Sequence, residues 1–219
     1  MSNTPQEIYW EKKLERAAKA LQENRFAASV HATGKEASEY LVGTVLGKDW
    51  KGDVNFGGSS SLIEAGVVPL LEAHPGVDVI PTWDPTIPRE QIMPLRRQRY
   101  ACDLYIASCN AVSMKGQLVN IDGGGNRVAS IHYGPNKVVL FVGRNKLCET
   151  LEDAMTRARH VAAPINNLRL KRKNPCVATG RCMDCNSPER ICNVFTITEK
   201  CPGPAERIHV LLVNEDLGF

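Results

Sequence analysis

Three stretches of this chain are apolar over most of their length: DLYIAS at 103–108, KVVLFVG at 137–143 and IHVLLV at 208–213. A strand with one wet face alternates apolar and polar side chains, whereas a nearly continuous apolar run has to be covered on both faces. Helical patterns separate these runs, so the sequence predicts an α/β fold: a mostly parallel sheet with helices on both faces. The first helix is expected behind Thr4-x-x-Glu7, a capping box with Pro5 at the first helical position and Trp10, Leu14, Ala17 and Leu21 at helical spacing. A short strand follows at 27–33. Thr33-x-x-Glu36 then opens a second helix with Ala37, Tyr40, Leu41, Thr44 and Val45 on one face. Next come a strand at 53–58 ending in glycines, a helix over 59–73 broken near Gly66 and Pro69, and a strand at 77–82. A connector with Pro81, Pro85 and Pro88 leads into a helix reaching Tyr100. Residues 101–112 read as one apolar strand, and Leu151, Ala154, Met155, Ala158 and Ala162 mark a helix behind Thr150. The runs at 103–108 and 137–143 are expected at the centre of the sheet.

With 219 residues the chain can bury a substantial core. The pattern divides it into an N-terminal helix and short strand at 1–34 and an α/β domain at 35–219, which includes a cysteine-rich segment at 174–202. No apolar run approaches membrane-spanning length, so no membrane insertion is expected. The first twenty residues are polar and charged, without the apolar stretch of a signal peptide, which points to a reducing, cytoplasmic setting.

That setting bears on the cysteines. Half of the eight fall in PCVATGRCMDCNSPERIC, as Cys176, Cys182, Cys185 and Cys192, with spacing C-x5-C-x2-C-x6-C. Their neighbours are Arg, Asn, Pro and Asp rather than core residues, and Gly180, Asn186 and Pro188 supply turn chemistry. Clustered thiolates suit a soft metal centre, either an iron–sulfur cluster or zinc. The single x2 knuckle does not have the form of a zinc ribbon. Seven cations and no acid lie between Ala154 and Met183 (Arg157, Arg159, Arg169, Lys171, Arg172, Lys173 and Arg181). They read as a solvated face or as compensation for thiolate charge. The stretch has no Phe, Tyr or Trp on which bases could stack, which argues against nucleic acid.

Ligand chemistry is expected at three glycine turns and strand ends. At 55–61, Gly57, Gly58, Ser59 and Ser60 lie between a strand and a helix, a place suited to a phosphate or carboxylate, although a plain helix cap after a tight turn reads equally well. At 117–129, three glycines ending in Gly124 and Gly125 precede Asn126 and Arg127, whose guanidinium could clamp a carboxylate or phosphate; a hairpin is the simpler alternative. Arg144, Asn145 and Lys146 follow an apolar strand, where open parallel sheets place ligands. Asp103, Ser108, Cys109 and Asn110 border the strand at 103–108 and could face the same crevice. Asp103 and Asp122 are the catalytic candidates, as acid or base.

These segments together resemble the lactate-utilisation (LUD) domain family, which includes lactate-utilisation protein C. The resemblance rests on GGSSSLIEAGV, on the block from DLYIASCNAV through QLVNIDGGGNRVASIHYG to KVVLFVGRNKL, and on AAPINN, over roughly residues 35–219. The C-terminal four-cysteine motif is an addition to that pattern. The resemblance implies the fold group of ribose-5-phosphate isomerase, glucosamine-6-phosphate deaminase and the CoA transferases. It also implies a link to L-lactate oxidation through iron–sulfur complexes.

Three functions follow as expectations. The first is a redox-associated subunit or accessory protein of L-lactate or other organic-acid oxidation, with a four-cysteine metal centre, a small carboxylate or phosphorylated ligand, and iron–sulfur redox partner proteins. An iron–sulfur cluster is preferred to zinc for it. The second is an isomerase- or transferase-type enzyme with a structural zinc, and the identity of the metal separates the two. The third, a zinc-dependent nucleic-acid binder, requires salt-dependent binding to DNA or RNA.

Overall fold

The computed structural model describes residues 4–82, 86–98 and 100–219; Pro85 of the connector lies outside them. Helix α1 (Pro5–Glu23) starts with the reciprocal cap read in the sequence: the Thr4 hydroxyl accepts the Glu7 N–H, and the Glu7 carboxylate accepts the Thr4 N–H at 2.6 Å. After β1 (Ala27–His31) comes α2 (Gly34–Tyr40), prolonged by a π-helical turn to Leu46. Thr33 caps α2, but the Glu36 carboxylate reaches back to the Ala32 N–H instead of the cap residue. β2 (Gly52–Phe56) leads to α3 (Ser60–Ala65) and α4 (Val67–Glu72), which break at Gly66 with φ 68°; Pro69 lies within α4. Then follow β3 (Val77–Val79), α5 (Arg89–Gln98), β4 (Leu104–Ala107), β5 (Ala111–Ser113), β6 (Leu118–Asp122), α6 (Asn126–His132), β7 (Lys137–Gly143) and β8 (Leu147–Cys148). α7 (Leu151–Arg157) passes through a π-helical turn into α8 (Ala163–Arg169), and α9 (Pro175–Thr179), β9 (Val194–Thr198) and β10 (Ile208–Val213) complete the order.

Six strands form one sheet in the order β1-β10-β7-β4-β2-β3, and every pairing is parallel. The continuous apolar runs are explained by what covers them. Along β7, Val138, Leu140 and Val142 face a core shared with Leu14, Ala17 and Leu21 of α1. Val139 and Phe141 face a second core with Ala37, Leu41, Leu62 and Leu71 from the α2–α4 side. Both faces are dry, so both sets of side chains are apolar. The segment 27–31 that the sequence groups with α1 is an edge strand of this same sheet, paired with β10.

The run at 101–112 is not one strand. β4 belongs to the parallel sheet, and β5 belongs to a second sheet in the order β8-β5-β6-β9. Ser108, Cys109 and Asn110 make the crossing between them. The expected loop at 117–129 is also mostly regular: β6 runs to Asp122, and α6 starts at Asn126. Ala111, Val119 and Ile121 of the second sheet pack on Ala154, Ala158 and Ala163 of the α7–α8 helices.

On the β1–β10 edge, Ser29 Oγ lies 2.9 Å from His31 Nε2 and 3.1 Å from His209 Nε2, under the Tyr40 ring. Burial pushes the His31 imidazole below its ordinary value, against the pull of Glu36. Burial, with the nearby Lys137 and His31, holds His209 down at about 4. A depressed histidine stays neutral in the fold and is more basic in the unfolded chain, so its contribution is present above pH 6.5 and declines towards the folded value. Thermal unfolding should therefore lose midpoint steadily from pH 6.5 to about 4, and His209→Asn should flatten that slope. Phe141→Ala, which empties a site at the sheet centre with 0% exposure, should cost about 3–5 kcal/mol in denaturant unfolding.

Candidate ligand pocket and cysteine cluster

A cavity of about 440 Å³ opens at the C-terminal ends of the parallel strands. Its walls come from the turns just beyond those strands: Gly58–Ser61 after β2, Thr82 after β3, Ser108–Asn110 after β4 and Lys146 after β7. The second sheet adds Ile121–Gly124 with Asn126 and Arg127, and the helix side adds Asn166, Arg169 and Arg172. This is the edge at which open parallel sheets take ligands, because each strand there hands over to a turn whose side chains point into a shared crevice.

Gly57 and Gly125 stand behind the lining rather than in it. A Cβ at Gly57 would meet the Tyr105 hydroxyl at 2.8 Å and the Ala107 Cβ at 3.1 Å, so glycine is required there by the approach of β4. Gly125 has φ +77° and sits immediately before α6, where its amide donates to Asp122 Oδ1 at 2.8 Å.

Arg127 lines the cavity, but its guanidinium is committed to the protein. Nη1 donates to Ser108 O (2.7 Å) and Asn120 Oδ1 (3.0 Å), and Nη2 donates to Asn110 Oδ1 (2.8 Å) and Ile121 O (2.9 Å). Nε faces the Asp122 carboxylate at 3.5 Å. The expectation of a ligand clamp is thus replaced by a structural one: the fork ties the β4–β5 crossing to the end of β6. Asp122 borders the cavity with its two oxygens turned to Gly125 and Arg127.

Asp103 lies at the other end of β4, where its oxygens accept the Asp53 N–H (3.0 Å) and the Asn136 amide (2.9 Å). It is absent from the cavity wall. An acid or base role there is set aside: Asp103 precedes Leu104 and so stands at the N-terminal end of a parallel strand, opposite the end that takes ligands. Arg144 and Asn145 also turn away. Arg144 Nε pairs with Asp216 at 3.1 Å, with its guanidinium 5.4 Å from the Trp10 ring centroid, and the Asn145 side chain bonds Leu217 N and Gly218 O. Both fasten the segment after β10.

Lys146, the third of the residues expected at the end of β7, is the one of the three that lines the cavity. Its side chain is 2% exposed, and Nζ donates to Ser61 Oγ at 2.7 Å and Ser108 Oγ at 2.8 Å. Burial, assisted by the guanidiniums of Arg157 and Arg127, brings its amine down to about 8. The signal available in the sequence was its position between the apolar β7 and Leu147-Cys148, an unusual place for a solvated lysine. Arg169 and Arg172, read as part of a solvated or thiolate-compensating run, also line the cavity, as does Arg96.

Cys176, Cys182, Cys185 and Cys192 line one small cavity with Arg159 and Asp184, while Cys102, Cys109, Cys148 and Cys201 lie outside it. Arg190 staples the loop, donating to Cys185 O, to Cys192 O (3.2 Å) and to Asp184 (3.0 Å). Among the described residues no group of three or more His, Cys, Asp or Glu side chains is gathered closely enough to hold an ion as the side chains stand. The segment also touches the ligand cavity: Asn193 donates to Asp122 O (2.9 Å) and Gly123 O (3.1 Å), and Ile191 lines the larger cavity against Gly123.

The fold and this crevice define an α/β protein with a cation-rich pocket at the C-terminal edge of a parallel sheet. The LUD-domain family model matches residues 14–213, and the chain belongs to that family, which is associated with lactate utilisation. Among solved structures it is similar to a DUF162-family protein from Deinococcus radiodurans, with 13% identity, a TM-score of 0.51, and coverage of 93% of this chain and 98% of that one. That likeness concerns the fold. No curated protein matches the chain. No helix among the described residues is long and apolar enough to cross a membrane.

Replacing Arg127 by Ala leaves Asp122 and several carbonyls without their donor. The expected loss is about 3 kcal/mol or more in chemical unfolding, with Arg127→Lys recovering only part of it because an ammonium cannot reproduce the fork.

Proposed function

We propose that this protein is a redox-associated subunit or accessory protein of L-lactate or other organic-acid oxidation, whose pocket holds a small carboxylate or phosphorylated ligand. The observation that carries the reading is the charge of the pocket wall. Among the described lining residues, Lys146, Arg96, Arg169 and Arg172 contribute cations, and the one side-chain carboxylate, Asp122, is already engaged by Arg127. Glu64 acts on Lys146 from outside the wall, but the cations outnumber the acids there, so an entering anion meets net attraction.

The four clustered cysteines are read as a metal centre. Their fit rests on the donor set: four soft ligands face one cavity, and Arg159 and Arg190 lie beside them to offset thiolate charge. An iron–sulfur cluster is preferred to zinc because of the single x2 knuckle and the redox association of the family. Iron–sulfur redox proteins are then the partners to expect. With zinc instead, the site would be structural, and an isomerase or transferase role would rest on the pocket alone.

Protein purified without oxygen should be brown, with visible absorption that bleaches on reduction and with iron and sulfide found together. A colourless protein carrying one tightly held zinc would overturn the electron-transfer reading. In calorimetry with lactate, pyruvate and inorganic phosphate, at least one anion should bind. Arg169→Ala should weaken that binding about tenfold, the effect of losing one charged donor, and added salt should weaken it further.

A further inference from the structure

Lys146 combines three properties that a purely electrostatic lysine does not need. It is buried to 2% exposure, it forms part of a cavity wall, and its described hydrogen-bond partners are hydroxyls. Both hydroxyls have their own protons engaged elsewhere: Ser61 Oγ donates to Leu217 O and Ser108 Oγ donates to Cys109 O, each at 3.2 Å. Each serine oxygen can therefore only accept from Lys146. In the neutral amine, two N–H bonds go to the two serines, and among the described residues no proton donor faces the nitrogen lone pair. Such an amine is a nucleophile held in place, the arrangement that carbonyl chemistry on lysine requires.

The surrounding charges narrow the class of carbonyl compound. Arg96, Arg169 and Arg172 line the same cavity, whose volume of about 440 Å³ exceeds what the lysine needs and admits a small organic molecule. We propose that Lys146 forms a Schiff base with an anionic carbonyl compound, a 2-oxo acid or a phosphorylated aldehyde or ketone, whose acidic group is held by the arginines of the wall. This rests on the anion-pocket reading above and adds a covalent step to it.

In that step the amine lone pair attacks the carbonyl carbon, and the C=O π electrons move to oxygen. Proton transfer from nitrogen to oxygen gives the carbinolamine. The C–O bond then breaks, the oxygen leaves as water with both amine hydrogens, and a C=N bond remains. No oxidant or reductant takes part. Ser61 and Ser108 are positioning residues that hold the amine. The depressed amine, at about 8 against the ordinary 10.5, supplies roughly three-hundredfold more neutral form at neutral pH than a surface lysine.

Borohydride trapping tests this. The whole protein is incubated separately with pyruvate and with pyridoxal 5′-phosphate, reduced, and analysed by intact mass and peptide mapping. The expected result is a single reduced adduct on Lys146 with at least one of the two reagents, formed at least tenfold faster than on any other lysine and rising with pH through about 8. An adduct with pyruvate alone identifies a 2-oxo acid, and one with pyridoxal phosphate alone identifies a phosphorylated carbonyl compound. Mapping on the unaltered protein places the adduct without relying on a variant. Lys146→Met should abolish it, and Ser108→Ala, which keeps the amine, should slow it. Absence of label on Lys146 with both reagents, or label spread evenly over surface lysines, overturns the proposal. Anion binding is read separately: phosphate that binds by calorimetry without any adduct leaves the pocket reading standing and removes the Schiff base. An adduct on Lys146 that excess phosphate does not suppress keeps the Schiff base and removes the anion pocket.

Discussion

The Arg127 guanidinium sits where the two sheets meet, and the shape of the pocket follows from that junction. Three residues, Ser108 to Asn110, carry the chain from β4 in the parallel sheet to β5 in the second one. Backbone leaving a sheet loses its ladder partners and has to find others. Arg127 supplies a donor to Ser108 O and holds the Asn110 side chain, whose oxygen also accepts the Ile121 N–H at 2.9 Å. Its partners on β6, Asn120 and Ile121, belong to the other wall. One planar fork therefore links the two sheets, and it is mostly buried between them, which limits competition from solvent for its bonds.

With Arg127 spent on architecture, the pocket's chemistry falls to side chains held by packing. Lys146 projects from the turn after β7 between Ser61 and Ser108, which come from two other strand–turn junctions. Placing an ammonium there without a carboxylate partner is unfavourable in isolation, and the depressed basicity of the amine expresses that penalty. Proteins keep such strained electrostatics where something else gains from them. The arginines at the wall and the lysine at the floor form a gradient from exposed to buried positive charge.

The legible part of the sequence was the part governed by burial on both faces. β4, β7 and β10 announce themselves because neither face meets water, and α1 because its cap and its apolar stripe agree. Half of the second sheet was hidden because β8 has two residues and β5 three, too few for a period to show, while β6, with five, runs into the glycines at 123–125 and reads with them as a loop. The site was legible as places and not as roles. Glycine turns at strand ends led to the right crevice, but whether Arg127 faces a ligand or the protein depends on how β6 and the β4–β5 crossing turn Asn120 and Ser108 towards it. Asp103 is a different case: it opens its apolar run, and the rule that parallel strands take ligands at their C-terminal ends already placed it away from the pocket.

The strand order carries a consequence for the way the chain is assembled. β10 lies between β1 and β7, so the last strand in the chain is inserted between the first and one of the central ones. Until it pairs, β1 has no strand neighbour among the described residues, and β7 presents an open edge of unpaired N–H and C=O groups. Every contact that closes this gap joins residues far apart in sequence, which slows closure because the loop must be ordered before the pairing rewards it. A chain in which β10 has not yet paired is thus a four-stranded sheet, β7-β4-β2-β3, with one sticky flank, and β1 joins it only when β10 is spliced between them.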